Sequence, residues 1–125
     1  MEILRSVLRE LPEFQQLLAA LDGGQSPVAV SGLAAVHRAH FAACLGQESG
    51  RPVVMVCADE GEAERMARDL SFLTGGEVPV LAARSFLFHN IATVSRQWEH
   101  RRLRLLYRLT RGEIPCLVAT VEALL

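Results

Sequence analysis

The sequence contains no lysine, and its thirteen arginines are nearly balanced by fourteen acidic residues, which leaves a formal net charge of −1. This near-balance excludes a global electrostatic attraction to nucleic acid. No apolar run approaches the roughly 20 residues that a membrane-spanning helix requires, and no secretory signal pattern opens the chain. We therefore expect a cytoplasmic protein without a membrane partner.

Paired cysteine motifs are also absent. The three cysteines, Cys44, Cys57 and Cys116, lack the C-x-x-C spacing of zinc and redox sites, and each lies among apolar residues. In such a context cysteine usually acts as a small core side chain, so the pattern predicts inert thiols. A length of 125 residues, half of them apolar, suits a single domain over 1–125 with its own core.

Short apolar runs alternate with amphipathic stretches along the chain. The amphipathic spacing predicts helices over 2–21 with a break at Pro12, over about 62–73 and over about 95–110. Strands are predicted at Val28–Val30, Val53–Cys57, Val78–Ala82 and Cys116–Ala119, and a loop at Arg84–Ile91. This alternation predicts βαβ units and therefore a three-layer α/β fold with a mainly parallel sheet and flanking helices.

The stretch that follows Val28–Val30 has the strand, turn and helix order of a phosphate-binding loop. Aligned with G-x-x-x-x-G-K-[ST], Gly32 takes the first glycine, His37 the second, Arg38 the lysine and Ala39 the hydroxyl residue. A bulky His37 disfavours the nest of backbone N–H groups, and Ala39 has no hydroxyl for Mg²⁺. These residues predict a degenerate loop in a nucleotide-binding architecture that no longer binds nucleotide. A variant ATPase loop in which Arg38 replaces lysine is the alternative.

Two further groups of residues suggest chemistry but have ordinary structural explanations. Asp59 and Glu60 follow a strand, where α/β folds place functional groups, but capping of the next helix is the favoured interpretation of the acid. His37 and His40 have helical spacing, but a zinc site needs a third ligand that the neighbouring sequence does not supply. No nucleophile elbow or paired-carboxylate motif occurs, so we predict no catalytic residue and no metal site.

The long helix predicted over about 95–110 carries two stripes. Trp98, Leu105, Leu106 and Leu109 share an apolar stripe that should face the sheet. Arginines at spacings of three, four and three form a second stripe, which we call the arginine ridge: Arg101, Arg104, Arg108 and Arg111. The ridge is consistent with a solvated helix face, with contact to a neighbouring domain or acidic partner, or with contact to DNA phosphates.

The order and spacing of three segments resemble the amino-terminal region of the bacterial transcription-repair coupling factor (Mfd) family. They are SGLAAVHRAHF from Ser31, PVVMVCADEGEAERMARDL from Pro52, and RSFLFHNIATVSRQWEHRRLRLLYRLTRGEIPCLVATVEALL from Arg84. The resemblance spans roughly residues 17–125, and its weight lies in the order of the segments because no single motif is diagnostic.

The resemblance implies a non-catalytic domain similar to the first domain of the excision-repair subunit UvrB, with a decayed nucleotide loop. It implies that the parent protein is a helicase-like, ATP- and Mg²⁺-dependent translocase on double-stranded DNA, which removes stalled RNA polymerase and recruits UvrA for nucleotide excision repair. For this chain it implies no cofactor and contacts with other domains of the same protein. We accordingly expect the chain to be an amino-terminal piece of a longer protein. A stand-alone, protein-binding α/β domain is the remaining alternative.

Overall fold

A computed structural model describes residues 2–83 and 91–125, with only the backbone described at 91–95. The elements follow in the order α1 (Glu2–Arg9), α2 (Pro12–Asp22), α3 (Ala35–Ser49), β1 (Val53–Cys57), α4 (Glu60–Thr74), β2 (Val80–Leu81), α5 (Ile91–Thr110), β3 (Cys116–Thr120) and α6 (Val121–Leu124). Within this described part, no helix combines the length and apolar character needed to cross a membrane.

The three strands form one parallel sheet in the order β1-β3-β2. Val54 lies opposite Leu117 and Val56 opposite Ala119, and Val80 of β2 lies opposite Val118. The chain moves across the sheet in one direction through α4 and returns through α5, so right-handed crossovers place these two helices on opposite faces. The predicted α/β class with a parallel sheet is therefore confirmed.

One face of the sheet is covered by α3 and α4. Its core is built from buried side chains of both helices and of the strands, namely Ala39, Ala42, Ala43, Cys57, Ala63, Met66, Ala67, Leu70, Val78, Cys116 and Val118. Small residues on α3 let that helix approach β1 closely. At Gly46 an added Cβ would lie 2.7 Å from Val53 Cγ2, so a side chain there would require Val53 or α3 to shift.

The other face is covered mainly by α5. Leu105 and Leu109 of α5 pack against a smaller core of buried residues that lie in and around β2, β3 and α6: Leu81, Ile114, Leu117, Ala119 and Ala123. The predicted apolar stripe was wrong for Leu106, which is 36% exposed. Arg102 lies on the sheet side instead, because its Nη2 donates to the Ala123 carbonyl oxygen at 2.8 Å and its guanidinium stacks over Trp98.

The amino-terminal helices pack beside α3. Pro12 is the first residue of α2, as the sequence predicts, because proline suits the first turn of a helix. Phe14 is buried and meets Phe41 edge-to-face, with ring centroids 5.4 Å apart. Arg9 of α1 forms an ion pair with Glu48 of α3 at 2.5 Å, which raises the pKa of Arg9 through the hydrogen bond to that carboxylate.

Two strand predictions need correction. Residues Val28–Val30 form no strand, because a strand requires a hydrogen-bonded neighbour and none lies beside this segment in the described structure. The strand predicted at Val78–Ala82 is shorter, with only Val80 and Leu81 paired to β3. Most of the loop predicted at Arg84–Ile91 lies outside the described residues, and Ile91 is the first residue of α5.

Candidate functional site

The carboxyl edge of the sheet is the candidate site, since open α/β sheets bind ligands beyond the carboxyl ends of their strands. The ends of β1 and β3 and the start of α3 are among the described segments at this edge. Cys57 ends β1 and lies opposite Thr120, which ends β3. Because α3 ends at Ser49, just before β1 begins at Val53, it runs back along the sheet and its amino terminus also points toward this edge.

Asp59 is the cap of α4. Its backbone is extended, and its Oδ1 accepts a hydrogen bond from the Glu62 amide at 2.8 Å. Glu62 reaches back in turn, and its Oε2 accepts from the Ala58 amide at 3.0 Å. This reciprocal arrangement satisfies amides that the first helical turn leaves without partners. The capping interpretation of Asp59 is confirmed.

Thr120 has the same kind of role at the end of β3. It is buried, and its Oγ1 accepts from the Ala123 amide at 3.2 Å, which starts α6. The sequence analysis missed this residue, although threonine directly after a strand and before an apolar helical turn is a typical cap. Asp59 and Thr120, which follow or end β1 and β3, therefore each accept a helix-starting hydrogen bond.

The segment aligned with a phosphate-binding loop has a simple geometry. Its residues are largely exposed, and Gly32 adopts φ +84°, a value that favours glycine. Helix α3 begins at Ala35, two residues before the position of the second glycine, and the Arg38 amide donates to the Ala34 carbonyl oxygen at 3.0 Å. Ala34 supplies no side-chain cap. His37 and Arg38 are thus exposed residues within the first two turns of a helix.

Ala39, at the hydroxyl position of the loop pattern, points into the protein. It is fully buried in the core between α3 and the sheet. A side chain at this position packs rather than facing the outside of the loop. Helical spacing explains this, because Ala39, Ala42 and Ala43 share one face of α3.

The three cysteines are free and buried, as expected for core residues. Burial raises the pKa of each thiol above its ordinary value, and at Cys57 the nearby carboxylates of Glu62 and Asp59 raise it further. A raised pKa reduces the thiolate fraction at neutral pH, and thiolate is the reactive form. The prediction of unreactive thiols is thus supported at all three positions.

The three histidines that the structure describes do not gather into a ligand set. His37 and His100 are exposed, the Nε2 atom of His40 is buried without a hydrogen-bond partner, and His89 lies outside the described residues. Across residues 2–83 and 91–125, no group of three histidine, cysteine or acidic side chains is placed to hold a metal ion.

Arg101, Arg104 and Arg108 are exposed on α5, and Arg111 is exposed in the turn that follows this helix. At the end of the helix the positive charge is partly compensated, because Arg111 Nε lies 3.1 Å from Glu113 Oε1 and Arg108 Nε lies 3.7 Å from Glu113 Oε2. Arg111 also donates to the Tyr107 hydroxyl at 3.0 Å. The sequence analysis did not consider Glu113, which follows the helix and reduces the ridge's charge.

Comparison with known proteins gives two relatives that share one name. The chain is 26% identical over 125 residues to the transcription-repair-coupling factor of Bacillus subtilis (strain 168), which covers 99% of this chain and 11% of that protein. It is 34% identical over 119 residues to the transcription-repair-coupling factor of Myxococcus xanthus, which covers 89% of this chain and 10% of that protein.

No protein-family model matches the chain, and no solved structure matches it significantly. The chain spans about a tenth of the length of the two curated relatives that it matches. Both matches extend over nearly all of its residues, and both relatives carry the same name, as the resemblance in the sequence predicts. Over nearly its whole length, the chain is similar to one segment of the transcription-repair-coupling factors.

Proposed function

We propose that this chain is a non-catalytic, UvrB-like packing domain of a cytoplasmic transcription-repair coupling factor. The observation that carries the proposal is that side chains at the candidate site cap helices or fill the core. Asp59 and Thr120 cap helices at the carboxyl edge, and Ala39 is part of the core. A site whose polar groups already hold the fold has none of these groups left to activate a substrate.

The segment at residues 32–39 supports the same proposal. Phosphate-binding loops hold a triphosphate with a nest of consecutive backbone N–H groups, a lysine and a hydroxyl that binds Mg²⁺. Here the helix starts at Ala35, before the second glycine position, and a buried methyl group occupies the hydroxyl position. The segment therefore has no strand before it and lacks the side chains with which such a loop holds a nucleotide.

The parent protein in this proposal is an ATP- and Mg²⁺-dependent DNA translocase that contacts RNA polymerase, UvrA and double-stranded DNA. The chain itself binds no cofactor and contacts neighbouring domains of the same polypeptide. Arg101 and Arg104 are the members of the arginine ridge that would contact a neighbouring domain, because Glu113 pairs with Arg108 and Arg111.

Isothermal titration of the 125-residue chain with ATP and Mg²⁺ tests the proposal. We expect no heat beyond that of dilution. The matched control is Arg38→Ala, which removes the one cation of the loop pattern from an exposed position and leaves the core intact. Micromolar affinity of the unsubstituted chain for ATP that is lost in the Arg38→Ala variant would overturn the proposal and establish a variant nucleotide site.

A further inference from the structure

The second face of the sheet is covered over one strand and bare over its neighbour. Leu117 and Ala119 of β3 are 2% and 0% exposed, whereas their partners in register on β1, Val54 and Val56, are 46% and 50% exposed. Paired residues of a sheet point to the same side. The two rows therefore belong to one surface that α5 and α6 cover only over β3.

The uncovered surface continues onto the side of α5. The inward-facing positions of this helix are Leu105 and Leu109, and a step of 100° per residue places Leu103 and Leu106 together on one flank. Crossovers between parallel strands are right-handed in nearly all proteins, and this hand turns that flank toward β1. Both leucines are exposed, Leu103 at 64%. We call Val54, Val56, Leu103 and Leu106 the bare face.

The composition of β1 is typical of a strand that is covered on both sides. Its sequence is VVMVC, without the polar residues that alternate along a strand with one face in water. The side chains of Val53, Met55 and Cys57 contact the core beneath α3 and α4. Parallel sheets are covered by helices on both faces, so the chemistry of Val54 and Val56 calls for a helix above them.

We propose that a helix from another segment of the same coupling-factor polypeptide packs on the bare face. This inference rests on the proposed packing function. The two relatives are nine to ten times as long as the part this chain matches, and in a polypeptide of that length the other segments lie at high effective concentration.

The geometry defines the covering helix. A five-residue strand is about 16 Å long, so roughly 11 helical residues, or three turns, span it. The contact stripe of that helix is apolar, since all four members of the bare face are aliphatic. It lies beside α5, on the flank opposite Arg101 and Arg104, so these two arginines stay accessible for a different contact.

Thiol labelling of engineered cysteines tests the proposal. Val56→Cys places a reporter on the bare face, and Phe72→Cys is the matched control, because Phe72 is 77% exposed on α4 over the opposite face. In the 125-residue chain we expect the two reporters to react with maleimide at similar rates. In the full-length coupling factor, which we call the long polypeptide, we expect Cys at position 56 to react at least about ten-fold more slowly than Cys at position 72. Labelling at position 56 then requires the covering helix to open locally.

Native Cys57 is an internal control for folding, because it is buried and should remain unlabelled in each folded variant. Val54→Cys is the second reporter if Val56→Cys does not fold. Labelling of Cys at position 56 or 54 as rapid as that at position 72 in the long polypeptide would overturn the proposal. Protection that grows with protein concentration would also overturn it, since a second copy would then be the cover. Neither result affects the nucleotide titration, so the two proposals fail separately.

Discussion

The two faces of the sheet differ in how completely the chain covers them. On the face beneath α3 and α4, eleven buried residues form a continuous core that includes side chains from β1 and β3. On the face beneath α5, five buried residues form a smaller core that excludes β1. The same strand is thus an interior strand on one side and a surface strand on the other.

This difference indicates where the domain is complete and where it needs a neighbour. Small residues such as Gly46 and Ala39 fit α3 closely against the sheet, which requires matched shapes and leaves no room for another partner. Beside α5 the chain exposes valine and leucine without such matching. The first face stabilises the chain on its own, and the second provides the surface for assembly.

The largest expected effect is on the covered face. Leu70→Ala removes a fully buried side chain of α4 and leaves a cavity in the larger core. We expect the free energy of unfolding of the 125-residue chain to fall by about 2–5 kcal/mol, measured by urea denaturation. Phe72→Ala, on the exposed side of the same helix, should change it by less than about 0.5 kcal/mol. Equal losses would show that the covered face is not the stabilising one.

A pair of identical substitutions compares the two faces directly. Val118 is fully buried on the covered face, and Val118→Thr buries a hydroxyl there, so we expect a loss of about 1–3 kcal/mol. Val56→Thr places the same hydroxyl on the bare face, where water can reach it, and should cost less than about 0.5 kcal/mol in this chain. Urea denaturation of both variants measures the contrast, and similar losses would contradict the bare face.

A smaller effect is expected at the start of α4. Asp59→Ala removes the acceptor of the Glu62 amide and should lower the free energy of unfolding by about 1 kcal/mol. Asp59→Asn keeps a side-chain oxygen at the same position and should retain most of the stability. Thermal unfolding followed by circular dichroism distinguishes the two. A loss confined to activity of the long polypeptide, with unchanged stability, would restore a catalytic role for Asp59.

The smallest effect is expected at the end of α5. Glu113→Gln removes the acid that pairs with Arg108 and Arg111, all of them exposed, so we expect a change of about 0–1 kcal/mol. The difference between Glu113→Gln and the parent chain should disappear in about 1 M salt, because ions screen exposed pairs. A change of several kcal/mol that persists in salt would indicate that this end of α5 is more buried than its exposure shows.

The local patterns of the sequence predicted much of this structure. Pro12 marks the start of α2, VVMVC predicts β1, and the position of Asp59 between a strand and a helix predicts the cap of α4. Each of these features depends on neighbours in the chain. The apolar residue at Leu106 was misplaced because a helical wheel shows the width of an apolar stripe but not which part of it the sheet reaches.

The degenerate phosphate-binding loop remains a prediction from the sequence. Gly32, His37, Arg38 and Ala39 are each placed by the structure, and the burial of Ala39 agrees with a packing role. The strand predicted at Val28–Val30 was wrong because an apolar tripeptide has the composition of a strand without the partner that makes it one. Hydrogen-bonded partners come from distant parts of the chain, which a short pattern does not specify.

By itself, the sequence determined most of the helical and extended segments, the parallel α/β class and the similarity to coupling factors, because periodicity, capping residues and segment order act along the chain. Only the tertiary structure decided the order of the strands, the burial of Ala39 and the exposure of Val54 and Val56. These depend on which elements meet in space. The apolar strand β1 is buried on one side and exposed on the other because burial depends on which elements pack against each side.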